Sequence, residues 1–501
     1  MTGRSKQGNT LHNIAWNYIG FLYQMGISFG LTSYITRHLV VSEYGLFLFV
    51  MSLSNTLYLL DMGLSSVLVQ AYVKEAARAE GDGLSSLLST SFLALGALGL
   101  IGVLIFAGIA AILPGPFNIP PEYIHEASSI FIIAALVILV SFPSIAVEQA
   151  YQASNRFDRI NHIQLFTSTV QVILSVVVLA AGYRIIALAL VLLATAFLRL
   201  LCLILALPAS VPNVRLSLTR FEWKILKPLI TDSKWAFLQN LSASLFDLLV
   251  WTILGSLGTM QEAALFGLAS KLPTQLRNLV DKGANVALPL MSESHTHGDE
   301  AALRKTYLKF QQLVFGASIP FVVLGCYFAR PLIELWAGKP YTDAAPVLQW
   351  LLLAAFAHAV AYSSDLLICA CGQFKKAASI SIWSGIVSVA SALLLLEKFG
   401  VVGLAAGLAI TQLVIQCGWF TLAACRLSHT RLRTMARVLG SGIALPLILL
   451  TFEILLISTA SSHLSSLWLL IAAVLSGGTY LGVWFSRTAR PLYKRQMEIV
   501  I

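Results

Sequence analysis

The sequence predicts an all-α, polytopic membrane protein with about fourteen transmembrane helices. Of its 501 residues, 57% are hydrophobic and only 11% are charged, whereas soluble proteins carry about 25% charged residues. Apolar stretches of roughly 20 residues, the length that crosses a bilayer, recur from end to end. The predicted spans are residues 11–36, 44–70, 84–112, 127–151, 160–181, 184–207, 234–256, 262–290, 307–336, 346–370, 377–397, 400–425, 435–458 and 464–486.

The basic residues fall on one side of this predicted topology. With the N-terminus inside and a crossing at every span, only five of the 33 basic residues lie on or near the outside, namely Arg37, Arg184, Arg330, Lys339 and Lys398. Such a bias is typical of cytoplasmic loops in membrane proteins. It explains most of the net charge of +10 without a nucleic-acid partner, and it predicts that both termini are cytoplasmic.

An internal repeat sorts twelve of the spans into two sets of six. A shift of 217 to 219 residues aligns Trp16 with Trp235, 42–47 with 261–266, Gly81-Asp82 with Gly298-Asp299, 155–157 with 372–374, and Gly182 with Gly400. Because six is an even number, both sets enter the membrane in the same direction. A parallel repeat of this kind is typical of transporters that rock one half against the other.

The repeat predicts four regions along the chain. They are an N-terminal lobe at 1–207, a linker at 208–233, a C-terminal lobe at 234–425, and a final region at 426–501 with spans 13 and 14 and a basic tail. Apolar and basic residues mix between Leu207 and Lys234, as at Trp223 and Lys224. This mixture predicts a basic amphipathic helix in the cytoplasmic interface, which also links the lobes.

Several kinds of site are missing from the sequence. No Gly-rich loop ends in Gly-Lys-Ser or Gly-Lys-Thr, so ATP is not the expected energy source. The six cysteines lie in or beside apolar stretches and the nine histidines show no metal spacing. The longest outer connection, roughly 113–126, is too short for a folded catalytic domain. We therefore expect no cofactor and no metal, and we expect a protein that is not an enzyme such as a glycan polymerase or ligase.

Ordered motifs in both halves carry a family resemblance. They are Arg37-His38-Leu39, Ser42-Glu43-Tyr44-Gly45-Leu46-Phe47, Asp61-Met62-Gly63-Leu64, Gly81-Asp82, Phe266-Gly267-Leu268-Ala269-Ser270-Lys271-Leu272, Ala287-Leu288-Pro289 and Gly298-Asp299. The sequence resembles the polysaccharide transporter family, which includes the Wzx-type O-antigen flippases. That family belongs to the multidrug/oligosaccharidyl-lipid/polysaccharide exporter superfamily.

The resemblance implies a fold, a location and a substrate class. The fold would be a V-shaped bundle of two six-helix lobes with two extra C-terminal helices, in the bacterial cytoplasmic (inner) membrane. The substrate would be a polyprenyl-diphosphate-linked oligosaccharide, a repeat unit of lipopolysaccharide O-antigen, capsule or exopolysaccharide, flipped outward by alternating access. Expected partners are this glycan, membrane lipid, and polymerase or chain-length proteins of the same pathway, with the chain itself a monomer. The alternative within the superfamily is an exporter of drugs or organic cations.

Intramembrane basic residues are the candidate ligands of the substrate diphosphate, because a charge inside the bilayer is costly and is retained for a reason. Lys271 and Arg277 lie within about 120° of each other on the eighth span, which Pro273 is expected to kink. Pairing of Arg277 with Asp281, and of Lys271 with Asp247, is the structural alternative. Arg37 and Arg199 complete the set of candidates, with snorkelling towards the interface as their alternative.

Intramembrane carboxylates are the candidates for ion coupling in an antiporter. Asp247 of the seventh span is the first choice, followed by Asp61, Asp365 and Glu148. Hydration near the inner end of a helix is the alternative for Glu148 and Asp365, and helix capping is the alternative for Asp61. Aromatic residues that could stack on sugars, or form an interfacial belt, are Trp16, Tyr18, Tyr23, Trp235 and Trp251.

Overall fold

A computed structural model of the protein describes residues 20, 23–61, 63–77, 81–112, 116–154, 156–211, 214–460 and 466–486. Every regular element in these ranges is helical. After α1 at 23–38, the helices are α2 (Val41–Thr56), α3 (Leu64–Ala77), α4 (Gly81–Ile112), α5 (Ile124–Ala153), α6 (Phe157–Ala180), α7 (Ile185–Ser210), α8 (Trp223–Leu257), α9 (Met260–Thr296), α10 (Glu300–Tyr327), α11 (Ala329–Ala337), α12 (Ala344–Ala370), α13 (Phe374–Thr411), α14 (Cys417–Leu427), α15 (Leu432–Ala460) and α16 (Ser466–Trp484). Helices satisfy their own backbone hydrogen bonds, as an apolar bilayer requires.

Nine helices in the described ranges are long and apolar enough to cross a membrane, or ten when the two parts of α15, bent by 52°, count as one span. The stretch Phe374–Leu427 is one of the nine and covers two predicted spans, since Gly400 at φ 59° breaks it. The predicted turn at Gly400 and its repeat partner Gly182, at φ 84°, are therefore both present. The eighth predicted span corresponds to α9, whose charged residues lower its apolar character.

The chain forms two compact units, residues 1–264 and 265–501. In the first unit, α3, α4, α5 and α7 share a core of buried apolar side chains that includes Leu68, Leu88, Phe142 and Leu203. The seventh predicted span, α8, packs in this unit against α2, α3 and α4. The unit boundary thus lies inside α9, and the predicted division into lobes at 207 and 234 stays a prediction.

The second unit combines apolar packing with a buried polar seam between α10 and α12. Tyr307 shares a hydrogen bond of 2.9 Å with Ser364. Gln311 Nε2 donates to the carbonyl of Val360 at 3.3 Å, and the hydroxyl of Ser363 donates to Gln311 Oε1. Hydrogen bonds between helices hold membrane bundles together where the hydrophobic effect cannot.

The two copies of the repeated motif begin their helices in the same way. Glu43 lies in the first turn of α2 and accepts from the backbone N–H of Val40 at 3.4 Å. Glu262 lies in the first turn of α9 and accepts from the backbone N–H of Thr259 at 2.9 Å, while the Thr259 hydroxyl accepts from the N–H of Glu262. A glutamate at the third helical position therefore fixes both helix starts, which explains why it recurs in the repeat.

The amphipathic helix predicted for the linker is not formed over residues 214–222. Residues 214–222 are not helical, and helix begins only at Trp223, as the start of α8. Backbone N–H groups of Arg215, Ser217 and Glu222 donate to hydroxyls of α4 at 3.0 to 3.1 Å. Because these groups bond to another helix, they do not form helical hydrogen bonds within the segment, and hydrophobic patterning cannot reveal such a tertiary contact.

Candidate functional site

The strongest polar site of the second unit is built around Arg277. This arginine lies on α9, where the nearby residues Leu276 and Val280 pack against apolar residues of α10 and α12. Its Nη2 donates to Oε1 of Gln412 at 3.4 Å. Gln412 is 94% buried, with a relative exposure of 6%. The guanidinium thus donates to a neutral amide, and it also interacts electrostatically with the Asp281 carboxylate.

Gln412 begins a short π-helical segment, Gln412–Gln416, between α13 and α14. A π-turn adds one residue to a helix and rotates the residues beyond it, and such turns are frequent at functional sites. Here the turn coincides with the contact between Gln412 and Arg277. The twelfth predicted span thereby carries a buried polar side chain at the level of the α9 arginine.

A stripe of polar side chains on α12 faces the same region. His358, Tyr362 and Asp365 follow one another at helical spacing and are partly exposed. The rings of His358 and Tyr362 stack with centroids 5.7 Å apart and an interplanar angle of 14°. The Cys369 thiol donates to Asp365 Oδ1 at 3.7 Å. This stripe is clearly distinct from the buried face of α12 that carries Ser363 and Ser364.

Electrostatic interactions join α9 to α12. The charge of Arg277 acts on both Asp281 and His358, and Tyr362 interacts with the carboxylates of Asp281 and Asp365. We call these six residues the second-unit polar cluster: Arg277, Asp281, His358, Tyr362, Asp365 and Gln412. The predicted alternative, pairing of Arg277 with Asp281, is compatible with this interaction and with the contact to Gln412, and it stays a prediction.

The cluster has the chemistry of an anion site with adjacent carboxylates. A guanidinium presents a planar fork of donors that matches phosphate oxygens. Lys271 lies six residues before Arg277 on α9, about 9 Å along the helix axis, and its side chain is partly buried. In the described part of the chain no three His, Cys, Asp or Glu side chains are placed to hold a metal ion.

In the first unit, the structure pairs two candidates that the sequence treated separately. Arg199 Nη2 on α7 lies 2.8 Å from Glu148 Oε1 on α5. The hydroxyl of Tyr151, one turn along α5, donates to the carbonyl of Leu203 at 2.8 Å, so the two helices are held together at this level. The two charges form an ion pair, and the alternatives of snorkelling for Arg199 and hydration for Glu148 stay predictions.

Asp61 serves as a helix cap. It ends a 3₁₀ turn, Leu57–Asp61, just before α3, and it is buried. Its carboxylate accepts from the backbone N–H of Ser65 at 3.1 Å and from the Ser65 hydroxyl at 2.6 Å. Such a contact satisfies an N–H at the start of α3 that has no partner within the helix. The structural alternative proposed for Asp61 is therefore seen directly.

The other predicted residues lie elsewhere. Arg37 is exposed near the end of α1 and Asp247 is exposed on α8. The hydroxyl of Tyr23 shares a hydrogen bond of 2.6 Å with Thr169 of α6, and Trp251 is partly buried. Trp16, Tyr18, the side chain of Trp235 and the basic tail beyond residue 486 lie outside the described residues.

Sequence reasoning missed three members of the polar cluster. His358, Tyr362 and Gln412 carry no fixed charge. A search for charged residues within the membrane therefore does not find them. The available signal was polarity at helical spacing: His358, Tyr362 and Asp365 recur at intervals of four and three residues, and Gln412 and Gln416 interrupt an apolar stretch.

Comparisons with known proteins decide the family. A model of the polysaccharide biosynthesis protein family matches residues 34–346, more than half of the chain. The chain belongs to this family. A relative in Bacillus subtilis (strain 168), described as "Uncharacterized membrane protein EpsK", is 24% identical over 343 residues, which cover 67% of each protein.

Solved structures show the same fold. The lipid II flippase MurJ in an inward closed conformation matches with a TM-score of 0.71 and 13% identity, over 97% of this chain and 99% of that one. An inward-facing multidrug resistance MATE family transporter of the MOP superfamily matches with a TM-score of 0.68 and 15% identity, over 82% of this chain and 95% of that one.

These matches confirm the resemblance to polysaccharide transporters. The protein is a multi-pass membrane protein of the polysaccharide biosynthesis protein family, with the helical fold of MATE transporters and of MurJ.

Proposed function

We propose that this protein flips a polyprenyl-diphosphate-linked oligosaccharide, a repeat unit of O-antigen, capsule or exopolysaccharide, from the cytoplasmic to the outer face of the bacterial inner membrane. The family match to polysaccharide biosynthesis supports a glycan as cargo. The observation that carries the substrate class is the position of Arg277, an intramembrane guanidinium that donates to Gln412 Oε1 within the second-unit polar cluster, because a guanidinium presents a planar fork of donors that matches phosphate oxygens. A diphosphate supplies the negative charge that such a group attracts.

The second-unit polar cluster gives each part of the substrate a partner. Arg277, with Lys271 further along α9, binds the diphosphate. The stacked rings of His358 and Tyr362 offer an aromatic surface to the first sugar. Arg37 and Arg199 are the remaining basic candidates, Arg199 through exchange of its contact with Glu148. The apolar polyprenyl chain stays in the lipid and needs no polar contact.

Ion coupling belongs to the same proposal. Asp247 and Asp365 are the carboxylates best placed for it, because Asp61 caps α3 and Glu148 is paired with Arg199. A carboxylate that takes up an ion or a proton in the membrane changes the local charge, and alternating access can use that change. The movement itself would follow the parallel repeat, one half rocking against the other.

A single substitution tests the substrate class. In a strain that lacks its own flippase and depends on this protein for surface glycan, we expect Arg277→Ala to lower glycan export about 10- to 100-fold, the value of a charge-assisted phosphate contact. Arg277→Lys keeps the charge but loses the planar fork, and we expect an intermediate result. Protein abundance in the membrane is measured in parallel.

Arg330→Ala is the matched control, because Arg330 is exposed at the start of α11 and its replacement should leave export unchanged. Normal export by Arg277→Ala at normal abundance would contradict a phosphate-binding role for Arg277.

Export of organic cations is the second candidate function. Asp281, Asp365 and Tyr362 form the acidic and aromatic surroundings that a cation prefers, and MATE transporters share the fold. Overexpression in a strain sensitive to ethidium and tetraphenylphosphonium separates the two functions. Resistance that depends on Asp365 and not on Arg277 would favour the cation exporter over the glycan flippase.

A further inference from the structure

The connection between α7 and α8 presents apolar and basic side chains together on the surface of the first unit. Leu218, Phe221 and Trp223 are 65%, 47% and 59% exposed. The basic residues Arg215, Arg220, Lys224, Lys227 and Lys234 are also exposed. Only Glu222 and Asp232 oppose them in this stretch, so the surface is net positive. We call residues 215–227 the basic aromatic segment.

Its position along the chain places the basic aromatic segment at the boundary of the membrane. The candidate span Ile185–Ser210 ends just before it, and α8 begins within it at Trp223. Large apolar side chains are rarely exposed to water in a group. Aromatic rings and long basic side chains are, however, favoured where apolar lipid meets charged headgroups.

The backbone of the segment is held in place, so its side chains are presented in a defined arrangement. Arg215, Ser217 and Glu222 donate their backbone N–H groups to Ser85, Ser89 and Thr90 of α4. Val214, just before the segment, and Leu229, just after it, are buried in the core of the first unit. Binding at this segment therefore involves little loss of conformational entropy, whereas a disordered basic tail would have to become ordered on binding.

We infer that the basic aromatic segment binds anionic phospholipid headgroups of the leaflet in which the substrate is loaded, with Leu218, Phe221 and Trp223 inserted beside them. Basic side chains near a membrane surface favour anionic lipid by about fivefold each. The site is separate from the second-unit polar cluster and does not depend on the proposed substrate.

Native mass spectrometry of the full chain in neutral detergent tests the inference. Titration with dioleoyl phosphatidylglycerol and, separately, dioleoyl phosphatidylcholine gives an apparent Kd for each lipid. We expect tighter binding of phosphatidylglycerol by the wild type. The double variant Lys224→Gln/Lys227→Gln should weaken phosphatidylglycerol binding about 25-fold, from the same factor for each charge, and should leave phosphatidylcholine binding unchanged.

The matched control is Lys375→Gln/Lys376→Gln, which removes the same charge from two exposed lysines at the start of α13. We expect less than about a twofold effect there, because these two lysines lie outside the basic aromatic segment and do not contribute to the lipid site proposed for it. Equal weakening by both double variants would show a response to net charge alone and would overturn a defined site. Displacement of the lipid by inorganic phosphate would assign the site to free anions and would overturn it as well.

A label on Phe221→Cys tests insertion independently of charge. After reconstitution in vesicles of equal parts phosphatidylglycerol and phosphatidylcholine, an environment-sensitive dye at this position should be quenched by lipids brominated high in the acyl chain. A dye that is quenched only by iodide in the water would overturn insertion of the aromatic side chains.

Discussion

The ion pair between Arg199 and Glu148 allows a prediction that distinguishes an effect on protein stability from an effect on transport. The contact is 2.8 Å long, and the side chains are 35% and 18% exposed. Loss of one partner from a fully buried pair costs about 3–5 kcal/mol, whereas exposed pairs contribute about 0.2–1 kcal/mol. For this partly exposed pair we expect Glu148→Gln and Arg199→Gln each to lower the free energy of unfolding by about 2 kcal/mol.

The double variant leaves no charge alone and is expected to lose only about 1 kcal/mol, which gives a coupling energy of about 3 kcal/mol in the double-mutant cycle. Unfolding of the purified protein in mixed micelles with increasing sodium dodecyl sulfate, followed by circular dichroism, measures it. Arg156 and Asp158 provide a control cycle. Their contact is 3.3 Å with 34% and 36% exposure, and we expect coupling below about 1 kcal/mol. Additive effects at Arg199 and Glu148 would refute the reasoning.

The same variants show whether Arg199 also contacts the substrate. If it does, glycan export stays low in Arg199→Gln and in the double variant, although the double variant regains the stability lost by leaving one charge alone. If export returns with stability, Arg199 acts only as the partner of Glu148. We expect the first result, because Arg199 keeps about a third of its surface exposed and can exchange its contact for a phosphate.

Substitutions at two further positions, Asp61 and Gly45, test local features of the first unit. Asp61→Asn keeps an acceptor for Ser65 and should preserve both stability and the pH profile of export, whereas Asp61→Ala should cost about 1 kcal/mol; a changed pH profile in Asp61→Asn would instead support ion coupling. Gly45→Ala places a Cβ against the carbonyl of Met260 and should destabilise the protein by about 1–3 kcal/mol. Gly385→Ala, with open space around the added Cβ, is the control and should be neutral or stabilising. Equal thermal stability of the two variants would contradict the close approach at Gly45.

The helical architecture could be predicted from the sequence because its signals are local. Long apolar stretches, Gly182 and Gly400 at tight turns, and the repeated glutamates at helix starts all depend on neighbouring residues. The family resemblance, resting on the same ordered motifs, was confirmed by the match over residues 34–346.

The arrangement of the candidate site was harder to predict because it depends on partners that are distant in the sequence. Arg277 and Gln412 are 135 residues apart, and the π-turn that begins at Gln412 leaves no pattern in hydropathy. Glu148 and Arg199 were both recognised as unusual, yet nothing local indicates that they meet. The non-helical course of 214–222 depends in the same way on hydroxyls of α4.

Hydrogen bonds to the hydroxyl groups of α4 reduce the flexibility of the connection that follows α7. A free chain of the twelve residues between Ser210 and Trp223 could span roughly 40 Å and would be a flexible connection. Three of its backbone N–H groups donate hydrogen bonds to α4, which makes the connection rigid. We therefore expect α4 and the start of α8 to move together.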